Sequence, residues 1–170
     1  TGAAKLIQHR DSVRLYLPHA LWTINVLLFI LLIWWGMFWW SGHDSWYAYE
    51  YLFITLYAIV LFFLASILYP WEMREDFDVG EYFLKNRRWF YGVLFLAWCL
   101  DIPETVAKSS AGLRPVPAEY FWFVGLHLVI AATGLITRKH IVHVLLPILW
   151  LVLVVFYVLM SSLGYSAFNA

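Results

Sequence analysis

The chain has 170 residues, 64% of them apolar, 13% charged and 21% aromatic, with eleven Trp and a formal net charge of zero. A soluble domain carries about 25% charged residues, so composition excludes that class and points to a membrane protein. Zero net charge gives no electrostatic footprint for nucleic acid, and a single cysteine, Cys99, excludes an intrachain disulfide.

A helix that crosses a bilayer needs about twenty apolar residues. Taken in order, the chain offers five such runs, at 20–40, 46–69, 88–107, 117–137 and 142–163. The predicted fold is therefore all-α: one integral membrane domain over 1–170, a polytopic bundle of five spans. The basic segment 1–19 precedes the first run. That run is longer than the apolar core of a signal peptide and shows no small-residue cleavage site, so it reads as a retained span. The third run is the weakest, because only Trp89–Leu100 is purely apolar. Four spans plus a re-entrant or interfacial helix is the alternative.

Basic residues orient the bundle. Lys5, Arg10, Arg14, Arg74, Lys85, Arg87, Arg88, Arg138 and Lys139 fall on the N-terminal side, nine against two (Lys108 and Arg114) opposite. Cytoplasmic loops carry the excess of Lys and Arg, so the expectation is N-terminus in and C-terminus out.

The polar segment 70–88 is the predicted cytoplasmic loop, with Glu72, Glu75, Asp76, Asp78 and Glu81 among its bases. Pro70 ends the second helix. Asp78 with Glu81 three residues on resembles a capping box, which predicts a helix start there. Arg74, Lys85, Arg87, Arg88 and Trp89 then read as an anchor at lipid headgroups, or as a docking surface for a partner protein.

The stretch DFDVGEYFLKNRRWFYG at 76–92 resembles a segment of small, uncharacterised bacterial polytopic inner-membrane proteins. In those, an acidic residue, a Tyr-Phe pair and an Arg-Arg-Trp-Phe run precede a membrane helix. The likeness covers 70–100. It implies a multi-pass protein of the bacterial inner membrane and carries no activity with it.

Ionisable residues at membrane depth are functional candidates. Glu50, Asp101, Glu104 and His127 all fall in the outer half of the predicted spans and together predict a polar pocket there. Each has a plainer role. Glu104 and Lys108 are spaced for an i,i+4 pair; Pro103 is placed to end the helix, leaving Asp101 and Glu104 at the interface; Glu50 reads as interfacial. His127 satisfies itself with one interhelical hydrogen bond, or serves as the axial ligand of a haem or chlorophyll. The small residues Ala131 and Gly134 on its face leave room for such a flat ring. The other histidines, His140 and His143 among them, are expected at or beyond the interfaces. No metal site and no mid-span lysine for a retinal Schiff base is expected.

No GxxxxGK[ST], HExxH or GxSxG motif occurs. The reading is a non-enzymatic accessory or scaffold subunit of a larger membrane complex, contacting lipid and other integral membrane proteins. Its rivals are a small carrier or proton-linked sensor using the polar pocket, and a pigment- or haem-binding subunit through His127.

Overall fold

The computed structural model describes residues 16–70 and 78–168, with side chains to residue 160. The basic residues Lys5, Arg10, Arg14 and Arg74, the acids Glu72, Glu75 and Asp76, and Trp71 lie outside the described residues. Among the described residues five α-helices follow one another: α1 Leu17–Met37, α2 Ala48–Ile67, α3 Val79–Ser110, α4 Tyr120–Ile136 and α5 His140–Phe168, with a 3-10 turn at Phe38–Gly42 after α1. No β-strand occurs among the described residues. Four of these helices are long and apolar enough to cross a membrane; α4, at 17 residues, is shorter. The sequence had marked the third span as the weak one. In the structure α3 is the longest helix, with 32 residues, and the short one is α4.

The ends of these helices follow from local chemistry. Pro18 sits in the first turn of α1, where its missing N–H costs nothing. Asp78 caps α3, its Oδ1 accepting from the Glu81 N–H at 3.0 Å, as the capping pattern predicted. Pro103 does not end α3, contrary to expectation. In a membrane bundle a helical proline is tolerated, because neighbouring groups and local adjustments re-satisfy the freed backbone. The helix stops at Ser110 instead. There Gly112 takes φ +70°, the Gly112 N–H bonds Ser109 O, and the Leu113 N–H bonds Lys108 O, both at 3.0 Å. This is the left-handed glycine stop, and it turns the chain back over the end of the bundle.

Side chains sort by what they face. Trp34, Trp35, Phe62, Trp122 and Ile136 are exposed, as lipid-facing groups are. The interior is a column of aromatic rings. Trp22 meets Phe90 and Tyr91 edge-on at 5.1 and 5.6 Å, and Phe29 stacks on Trp98 at 4.6 Å. Lipid tails are as apolar as Leu, so such packing, rather than exclusion from water, holds membrane helices together. The most extensive pairing is α3 with α4. Small buried residues, Ala97 on α3 and Ala131 and Gly134 on α4, let the two helices approach. Gly134 lies flat against the Tyr91 ring, where any Cβ would overlap it.

Candidate functional site

Neighbouring helices run in alternating directions, so one end of the bundle gathers the end of α1, the starts of α2 and α4, and the last turns of α3. Three charged side chains and three polar-tipped aromatics meet there. The Asp101 carboxylate accepts from two hydroxyls, Tyr57 on Oδ1 at 3.1 Å and Tyr120 on Oδ2 at 2.7 Å. One turn along α3, Glu104 Oε1 accepts from the Trp40 indole N–H at 2.7 Å, and Glu104 Oε2 pairs with Lys108 Nζ at 2.8 Å. Lys108 also donates to the Gly36 carbonyl at 3.2 Å. Asp101, Glu104 and Lys108 are 7%, 2% and 5% exposed. They are interior groups, not the interfacial pair the spacing allowed.

Beside this cluster lies a cavity of about 100 Å³. Asp101, Glu104, Thr105 and Lys108 form its polar wall and Arg114 lies at its edge; Phe29, Leu32, Ile33, Phe123 and Val158 form its apolar wall. Arg114 also lies over the Trp39 ring, 5.3 Å from its centroid. The Schellman stop of α3 is what brings Arg114 back to the cavity.

Of the four residues proposed as a polar pocket, the structure joins two, Asp101 and Glu104. Glu50 stands apart at the start of α2, where it accepts from the Tyr47 N–H at 2.9 Å and pairs with His43 at 3.2 Å. It caps a helix, because a carboxylate at the third helical position reaches back to the free N–H of the cap. His127 lies one layer deeper, behind Trp98 and Phe123, whose rings are each 4.3 Å from its own. Its Nδ1 donates to the Phe123 carbonyl of its own helix at 2.7 Å, so the bond is intrahelical rather than interhelical. Its Nε2 has no partner among the described residues. The small face beyond it is not open space: the Tyr91 ring fills the surface of Gly134 where a flat cofactor was given room.

Other placements also differ from expectation. His143 is fully buried, its Nδ1 sharing a hydrogen bond with the Tyr91 hydroxyl at 3.1 Å, while Tyr91 accepts from the Trp22 N–H at 3.1 Å. His19 is buried and bonds the Leu68 carbonyl at 2.7 Å. Both histidines were expected at the interfaces. Of the proposed anchor, Lys85, Arg88 and Trp89 are exposed on one face of α3. Arg87 turns inward, donating to Leu84 O at 2.9 Å and to Thr137 O at 3.4 Å, so it ties α3 to the end of α4. Among the described residues no three His, Cys, Asp or Glu come together as metal ligands.

Compared with known proteins, the chain matches no family model, no curated protein and no solved structure. The site must be read from its own chemistry.

Sequence reasoning missed Tyr57, Tyr120, Trp40 and Arg114, and placed Lys108 in an external loop. One signal was available. A Tyr or Trp inside an apolar run carries a polar tip that needs a partner when buried, and a buried carboxylate is the strongest acceptor on offer. Which aromatic reaches which carboxylate depends on the helix packing.

Proposed function

We propose that the chain is a five-span, non-enzymatic protein of the bacterial cytoplasmic membrane that binds a small amphipathic ligand in the cavity beside Asp101, Glu104 and Lys108. The observation that carries this reading is the siting of three buried charged side chains around a void. A charge at membrane depth costs about 2.5–3.5 kcal/mol even on the milder scales. A bundle that needed only helix–helix adhesion would fill that space with apolar side chains. Here two carboxylates and an ammonium group line it, opposite an apolar wall, which is the usual make-up of a small-molecule site.

Five crossings are supported by the ties on α4. At about 1.5 Å per residue its 17 residues span roughly 25 Å, short of a hydrocarbon core of about 30 Å. Yet Tyr120 at one end bonds Asp101 and Thr137 at the other bonds Arg87, so α4 runs beside the central turns of α3 between those levels. With Lys108 inside α3, Arg114 is left as the basic residue of the Asp101 end, which supports an outward-facing cavity. The bacterial setting rests on the likeness of the 76–92 stretch.

The accessory-subunit reading keeps one specific support. Lys85, Arg88 and Trp89 form an exposed cationic and aromatic face at the start of α3, suited to lipid headgroups or to a neighbouring subunit. Co-purification under mild detergent tests that role. For the ligand site, native mass spectrometry of the detergent-purified protein is expected to show a bound amphiphile of discrete mass. Ile33→Trp, which fills the cavity, should abolish it. A protein that carries no such molecule and takes up none when amphiphiles are added overturns the proposal.

A further inference from the structure

Resting on the cavity being a ligand site, we propose that it receives the anionic head group, carboxylate or phosphate, of a single-chain amphiphile. The balance of donors and acceptors in the wall leads there. All four carboxylate oxygens are already engaged: Asp101 by Tyr57 and Tyr120, Glu104 by Trp40 and Lys108. What remains unspent are donors. An ammonium group has three N–H bonds, and Lys108 commits itself to Glu104 Oε2 and Gly36 O, leaving one. Arg114 presents its flat face to Trp39, which leaves the in-plane N–H fork of the guanidinium for a planar or tetrahedral anion. Trp98 lines the same cavity, is 3% exposed, and its indole N–H has no partner among the described residues.

Charge agrees with this. Asp101 and Glu104 against Lys108 and Arg114 sum to zero, so an arriving anion meets a neutral wall of free donors. An arriving cation meets carboxylate oxygens that each already hold one donor. Size and shape set the rest of the ligand. About 100 Å³ admits a head group and the first part of one chain. Phe29, Leu32 and Ile33 on α1, facing Val158 on α5, offer the tail an apolar path toward the bilayer.

The test is equilibrium binding of tritiated oleate to the full-length protein in a neutral detergent, with competitors. Oleate and oleoyl lysophosphatidate are expected to compete, one arm for each anion. Oleylamine and oleyl alcohol, matched in tail, should compete about tenfold less well or worse, the loss expected for one charge-assisted contact. Acetate and inorganic phosphate, matched in charge but without a tail, should not compete. Arg114→Gln should weaken oleate about tenfold with the melting temperature unchanged, and Arg114→Lys should recover part of the loss. Amine or alcohol binding as well as the acid, or full affinity in Arg114→Gln, overturns the anion assignment and leaves the ligand cavity standing. Equal competition by acetate or phosphate overturns the tail. Failure of every amphiphile to bind removes the ligand site itself.

Discussion

Breaking the Glu104–Lys108 pair is the sharpest test of the site. The two side chains meet at 2.8 Å with 2% and 6% of their surface exposed. Lys108→Met leaves Glu104 a buried carboxylate with only the Trp40 N–H for a partner. Removing one member of a buried ion pair costs about 3–5 kcal/mol. Glu104→Leu is expected to cost less, because Lys108 keeps the Gly36 carbonyl. The double variant Glu104→Leu/Lys108→Met removes both charges, strands the Trp40 N–H and takes the Lys108 donor from the Gly36 carbonyl, for about 1–3 kcal/mol. The cycle should therefore be strongly non-additive, the double variant sitting well above the sum of the singles. The measurement is unfolding in mixed micelles by far-UV circular dichroism, with detergent ratio as the denaturing variable. An exposed i,i+4 pair is worth only about 0.3–0.5 kcal/mol. Single variants that each lose less than about 1 kcal/mol and add up simply would refute the interior placement of the cluster.

Four further outcomes are expected. Gly134→Ala drives a methyl group into the Tyr91 ring and should cost about 1–3 kcal/mol in the same assay, with Tyr91→Leu relieving part of it. Tyr120→Phe and Tyr57→Phe each leave an Asp101 oxygen without its hydroxyl; each should lose about 0.6–1.7 kcal/mol, the range of interhelical bonds in membranes. Since His127 bonds within its own helix and its surroundings are filled by rings, the purified protein should show no visible absorbance band, and a band lost in His127→Leu would restore the pigment reading. After replacement of Cys99, a cysteine at Ser41 should react with an impermeant reagent from the periplasm; so should one at Ala170, while one at Asp76 should not, the last two positions lying outside the described residues.

The helical class was legible because it is a matter of solvent. In lipid the backbone must bond to itself, and long apolar runs have only the helix to adopt. The start of α3 was legible too, since a cap is a contact between residues three apart, Asp78 and Glu81. So was the Glu104–Lys108 pair, because four residues make one helical turn. These are short-range facts, and spacing along the chain states them completely.

What the tertiary structure decided was depth and company. Pro103 reads locally as a stop, yet the helix runs through it to Ser110. That extension draws Lys108 out of a loop and into the interior. The small face of α4 is the same whether it waits for a flat cofactor or for Tyr91, and only the approach of α3 shows which ring fills it. Asp101 is joined to Tyr57, 44 residues away, and Glu104 to Trp40, 64 residues away. No periodicity of one helix records the rotation of another about its axis. The sequence could therefore supply the carboxylates, but the packing of α1, α2 and α4 against α3 chose their donors and left the cavity beside them.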